Sequence, residues 1–138
     1  MSRPRRARVV AALIAHPSDA GRFLVQQRLP HRSRANLWEF PGGKVEPAES
    51  DEAALARECR EELDVELAVG RRLWSTVHRY TDLEVELLLH AARIVSGEAK
   101  AIGAQTIRYA TPVEMQQLPF CEADLPLIDA LARGELAK

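Results

Sequence analysis

Cysteine is nearly absent from this sequence. Cys59 and Cys121 are the two present, far apart and in no metal-ligand spacing. That argues against a disulfide framework and suits a reducing cytosol, so a cytoplasmic protein is expected. An excess of one charge is also lacking: 19 basic residues stand against 20 acidic ones, for a net −1. No large basic field calls for a nucleic-acid partner. No apolar run is long enough to span a membrane. Internal repeats and low-complexity tracts are missing as well. What is there is a chain of 138 residues, 46% hydrophobic, the size of one domain with one sizeable core.

The even total hides an uneven distribution. Residues 49–66 hold eight acids against two bases, a local charge of −6, so the remainder of a −1 chain carries +5. An acidic nucleus in a mildly basic surround suits a cation-bound anion better than a nucleic-acid groove. The N-terminus, "MSRPRRARVVAALIAHPS", mimics a secretory signal, with a basic start and a short apolar run. The run is short and "GRFLVQQR" follows at hairpin distance. A flexible basic tail over residues 1–7, leading into a first strand, is the simpler account.

Val9–Ala15 reads as a buried strand, His16–Gly21 as a turn and Arg22–Arg28 as the partner strand. "LPHRSRAN" reads as a basic loop. "LWEFPGGKVEP" carries Leu37, Trp38 and Phe40 into a Pro-Gly-Gly turn and a short extended piece. Ser50–Leu63 is the clearest helix. Ser50 suits the N-cap, Asp51 and Glu52 lie in the dipole-favoured first turn, and Leu55, Cys59 and Leu63 form one apolar stripe. Arg71–Tyr80 and Leu83–Val95 read as long strands, the second alternating Val85, Leu87, Leu89 and Ala91 against Glu84, Glu86 and His90. Thr106–Ala110 reads as a short strand, Pro112–Gln117 as a short helix capped by Thr111, and Asp124–Arg133 as a terminal helix ending at Gly134. The pattern predicts an α/β (α+β) sandwich: a mixed central sheet between helices.

Glu58, Glu61 and Glu62 stand at i, i+3 and i+4, on one helical face. Like charges at that spacing cost a few tenths of a kcal/mol per pair, so something must neutralise them. Arg57 and Arg60 do so in part, Arg57 reaching Glu61 across one turn. A hard divalent cation does it better: Mg²⁺ takes oxygen ligands and prefers one or two carboxylates plus substrate phosphates. A solvated acidic face with ordinary ion pairs is the plain alternative. Against it stand a Gly-Gly turn, whose backbone can approach a ligand closely, and Glu49 just ahead of the helix.

These residues resemble a family signature. Gly43, five residues, Glu49, seven residues, then Arg57-Glu58-Cys59-Arg60-Glu61-Glu62-Leu63-Asp64-Val65 is similar to the Nudix box, Gly-x5-Glu-x7-Arg-Glu-U-x-Glu-Glu-x-Gly-U, where U is bulky and apolar. One fixed position departs: Asp64 stands for the late glycine. The resemblance implies a single Nudix domain over residues 1–138. It would cleave nucleoside diphosphates linked to a further group, using Mg²⁺ or Mn²⁺. It implies Glu58, Glu61 and Glu62 as metal ligands with the carbonyl of Gly42, Arg57 orienting a glutamate, and Glu49 bracing loop and helix.

Two flanking segments extend the likeness. "RANLWEFPGGKVEP" resembles the lead-in of the MutT-like branch, and "LPFCEADLPLIDAL" resembles the matching segment of bacterial CTP pyrophosphohydrolases. The implied partner is a nucleoside triphosphate, for a monomer or homodimer that binds neither nucleic acid nor membrane. Asp124 is then the base contact, where oxidised-dGTP hydrolases carry Asn. An ionised carboxylate only accepts, which favours an amino-bearing base, cytosine first. Asp124 also suits the cap of the last helix. Arg28 and Lys44 are implied phosphate contacts. Phe40 and Trp38 are candidate walls for the base, and His78 and Arg79 end a strand facing the pocket. Gly103 stands where relatives keep a further loop glutamate, so either Glu98 takes over or the box glutamates act alone.

Overall fold

The computed structural model describes residues 5–136. A seven-stranded mixed sheet is built on strand β1 (Arg5–His16). It runs β3-β2-β1-β6-β5, with β2 at Asp19–Gln27, β3 at Trp38–Glu39, β5 at Glu66–Arg79 and β6 at Leu83–Ser96. The short β4 (Gly42–Lys44) pairs with β1, and β7 (Thr106–Ala110) with β2. Among the strand pairings of the described residues, β1–β6 is the parallel one.

Helix α1 (Asp51–Leu63) covers one face of the sheet. The short α2 (Pro112–Met115) and α3 (Leu125–Ala132) cover the other. The period-2 geometry of β1 serves both layers. Val10, Ala12 and Ile14 pack on Ala54, Leu55, Cys59 and Leu63 of α1. Ala11, Val9 and Leu13 face the layer of Met115, Leu127 and Ile128. This is the expected sandwich of a mixed sheet between helices.

Two expectations change. Residues 5–7 are strand, not flexible tail; residues 1–4 lie outside the described residues. Arg6 and Arg8 stand directly across from Glu84 and Glu86 in the β1–β6 ladder and pair with them at 3.4 and 2.9 Å. Cross-strand ion pairs of that kind extend a ladder beyond its apolar part. The turn after β1 is also tighter than expected, with only Pro17 and Ser18 between β1 and β2. In β6 the charged face is not uniformly wet, since Leu88 and His90 are buried on it.

The helix ends follow their residues. The Ser50 side chain accepts from the Ala53 amide at 3.1 Å. Asp64 caps the other end in the left-handed region, φ 59° and ψ 43°. Thr111 and Glu114 form a reciprocal capping box on α2. A 3-10 turn, Glu122–Asp124, leads into α3, which starts one residue later than read from sequence.

Candidate active site

Pro41 and the two glycines bring β4 against β1 and under α1. A side chain at Gly42 would meet the Val10 carbonyl oxygen at 1.9 Å, and its φ is +152°. A Cβ at Gly43 would lie 2.3 Å from the Glu58 carboxyl. The Glu58 carboxylate is therefore seated on the bare backbone of Gly43, which is the close approach that glycine permits.

Beside this seat lies a cavity of about 350 Å³. Gly42, Gly43, Lys44, Glu58 and Glu62 line it, together with Arg28, Phe40 and Asp124. All eight were singled out from the sequence. Glu49, Arg57 and Glu61 do not line it; they brace it. Arg57 is the hub, donating to Glu49 at 2.7 and 3.0 Å, to Glu61 at 3.0 Å and to the Lys44 carbonyl at 3.1 Å. It also reaches Glu58 at 3.4 Å. Glu49 completes the brace by accepting from the Glu46 amide. The bond from Arg57 above all holds the Glu49 carboxyl down at about 2.

The three box glutamates thus part company. Glu58 and Glu62 turn into the cavity, while Glu61 stays at the surface, 55% exposed and paired with Arg57. Among the described residues no three His, Cys, Asp or Glu side chains converge as a ready metal cage. Arg57, one turn before Glu61, pairs with it from outside the cleft. Burial raises both inward carboxyls, Glu62 to about 7 and Glu58 in the same direction. The oxygens of two desolvated carboxylates are a donor set that a hard divalent cation fits, with phosphate oxygens to complete it.

Asp124 differs from expectation. It holds the cap position of α3 but makes no capping bond. It is 5% exposed, and burial, reinforced by Glu39, pushes its carboxyl well above the usual range against the opposing Phe40 backbone and Arg28. A neutral carboxyl donates as well as accepts. Burial thus favours the protonated form of Asp124 and works against the one-way preference expected of its ionised form.

Arg79 is not at the cavity: its side chain is 70% exposed and pairs with Glu84. His78 lies against Tyr80 and Glu122. Trp38 is core, bridged to Phe120. Gly103 packs on Glu62, its amide bonding the Glu62 carbonyl at 3.1 Å. Glu98 is exposed and does not line the cavity.

Sequence reasoning missed Gln26, Arg34, Glu39 and Tyr80. Glu39 lines the cavity, bonds Arg28 at 2.9 Å and accepts from Gln26 at 3.0 Å. Tyr80 also lines the cavity, its hydroxyl accepting from the Ala123 amide beside Asp124. Arg34 lies over the Tyr80 ring at 3.7 Å. A usable signal existed for Gln26. It follows the buried Leu24 and Val25 on a strand covered on both faces, where a polar side chain needs a partner.

Comparison with known proteins agrees with this fold. The NUDIX domain profile matches residues 10–130. The chain is 38% identical over 122 residues to the CTP pyrophosphohydrolase of Escherichia coli, covering 88% of each. It is 35% identical over 113 residues to the putative 8-oxo-dGTP diphosphatase 2 of Mycobacterium tuberculosis, covering 80% of this chain and 79% of that one. The solution structure of the E. coli ORF135 protein superposes with a TM-score of 0.77 at 36% identity, over 98% of this chain and 94% of that one. The glycine seat and the split glutamates lie inside the matched segment, and the chain belongs to the Nudix hydrolase family.

Proposed function

We propose that this Nudix hydrolase is a Mg²⁺-dependent nucleoside triphosphate pyrophosphohydrolase. It releases a nucleoside monophosphate and pyrophosphate, with cytidine or modified deoxycytidine nucleotides as preferred substrates. The observation that carries the reading is the placement of Glu58, on its Gly43 seat, and Glu62 in the same cavity as Arg28, Phe40 and Asp124.

Members of this family generally work with a divalent metal. Glu58 and Glu62 would hold it from within the cleft with the Gly42 carbonyl as a further oxygen donor, and Glu61 would join them only by giving up its pair with Arg57. The ion would draw charge off the phosphate oxygens. Arg28 and Lys44 bind the remaining phosphate charge. Phe40 gives the base an apolar face, and Asp124 anchors its polar edge. Attack by water needs a proton acceptor within hydrogen-bond reach. With Gly103 carrying no side chain, that acceptor is one of the carboxylates lining the cavity: Glu39, Glu58 or Glu62.

The cytidine preference rests on likeness to the E. coli CTP pyrophosphohydrolase and on the Ala-Asp-x-Pro segment, which carries Asp124 and resembles that of bacterial CTP pyrophosphohydrolases. A second reading, an 8-oxo-dGTP diphosphatase that cleans the nucleotide pool, is favoured by the 35% relative and by the burial that raises the Asp124 carboxyl toward its protonated form. A turnover-deficient nucleotide-binding module is the reading favoured by Gly103 and Asp64 alone. One panel separates them: pyrophosphate release from CTP, dCTP, 5-methyl-dCTP and 8-oxo-dGTP with Mg²⁺. A preference for 8-oxo-dGTP above about tenfold in kcat/KM ends the cytidine reading. No release from any nucleotide leaves the binding module. Full activity in Glu58→Gln would remove the metal assignment.

A further inference from the structure

Gln26 is 1% exposed, at the last residue but one of β2. Its side-chain amide donates to two carboxylates, Glu39 Oε2 at 3.0 Å and Glu62 Oε1 at 3.0 Å. Its own carbonyl, Oε1, is buried with no partner among the described residues. Gln26 does not line the cavity, so it makes no substrate contact. It acts on the site only through the two acids it holds.

The chemistry of the pair fixes the amide's orientation. Turning it over would set a carbonyl against two carboxylates and leave the NH₂ group idle. Both amide protons are thus committed to the acids, at the cost of an orphaned buried acceptor. The contrast with Glu61 is informative. Glu61 is neutralised by the cation of Arg57 and stays outside. Glu62 is held by a neutral donor, which fixes the side chain without cancelling its charge. One of its oxygens is engaged and the other keeps its lone pairs for a hard ion. Through Glu39 the same amide is linked to Arg28, the phosphate contact.

We propose that Gln26 is a positioning residue of this enzyme: a neutral clamp that aims the Glu62 carboxylate into the cavity and so sets metal affinity. The inference rests on the metal reading given above. Gln26→Met keeps the length and apolar body of the side chain and removes both donors.

Mn²⁺ binding to the nucleotide-free protein, followed by EPR, reads the effect directly. Loss of such a supporting partner is expected to weaken Mn²⁺ about tenfold or more. A fall in kcat should accompany it, with a much smaller change in KM for the nucleotide. Folded Gln26→Met that binds Mn²⁺ within about twofold of wild type would overturn the clamp and leave the metal reading intact. Wild type that binds no Mn²⁺ would overturn both. Should Gln26→Met not fold, the wild-type side-chain amide decides by NMR. Its two proton resonances should shift as Mg²⁺ fills the site, and resonances unmoved at saturating Mg²⁺ would sink the proposal.

Discussion

At the scale of single residues, two side chains of similar promise in the sequence have opposite fates. Gly43 is held by space: any side chain there displaces the Glu58 carboxylate, which a Cβ would meet at 2.3 Å. The displaced group is the mobile end of a glutamate, so the fold should survive. Gly43→Ala should keep its melting temperature within roughly 3 °C, a change in stability below about 1 kcal/mol. Its Mn²⁺ affinity and kcat should each fall more than about tenfold, as measured by EPR titration and pyrophosphate release. Arg79 is the converse. It is exposed and pairs with Glu84 on the neighbouring strand. Exposed pairs of this kind contribute about 0–1 kcal/mol. Arg79→Ala should therefore leave both kcat and KM within about twofold of wild type, well under the loss expected of a transition-state contact. A rise in KM with an unchanged fold would return Arg79 to the substrate.

At the scale of the element, α1 carries Glu58, Glu61 and Glu62, and its two ends are separately secured. Ser50 satisfies its start, and a loop from Gly97 to Gln105 satisfies its finish: the Lys100 amide bonds the Leu63 carbonyl, and the Ile102 and Gly103 amides bond that of Glu62. These are the carbonyls a helix end otherwise leaves without partners. Asp64 adopts the left-handed conformation that relatives leave to glycine. A non-glycine residue there carries a conformational cost of about 1 kcal/mol, least for Asn and Asp. Asp64→Gly should raise the melting temperature by a few degrees, about 2–5 °C, with kcat/KM unchanged. A loss of activity would show that Asp64 serves the chemistry and not just the helix end. Lys100 lies 3.7 Å from Asp64, an exposed pair that contributes little to this balance.

At the scale of the whole molecule, packing two carboxylates into the cleft makes stability depend on pH. Burial raises the Glu62 carboxyl from 4.5 to about 7. A raised carboxyl contributes stability that is fully present below the unfolded value and is lost as pH rises through the folded one. In EDTA, wild type should therefore lose stability between about pH 4.5 and 7, on the order of 3 kcal/mol. Glu62→Gln, which has no proton to lose, should not show this component. Differential scanning fluorimetry across pH 4–8 reads the difference. Mg²⁺ should flatten the wild-type curve, because a bound cation stabilises the ionised form that burial penalises. A wild-type curve parallel to that of Glu62→Gln would show that the carboxyl is solvated. Both thiols are raised as well, Cys59 and Cys121 each to about 12 by burial, so each remains a protonated core group across this range.

The sequence alone determined the helix, its caps, the sandwich and the set of acids, because each of these is written in local order. Period 3.6 places Leu55, Cys59 and Leu63 on one stripe and Glu58, Glu61 and Glu62 on another. Ser50 marks its position by a bond to an amide three residues on. Tertiary structure alone decided which acids face inward. Glu58 and Glu62 enter the cleft because Gly43 leaves room for one and Gln26 holds the other, while Arg57 keeps Glu61 outside. It also enclosed Asp124 near Glu39, where burial pushes its carboxyl well above the usual range and favours the protonated form. Burial and partners at sequence separations such as the 36 residues between Gln26 and Glu62 are set by how the strands register, which no local pattern encodes.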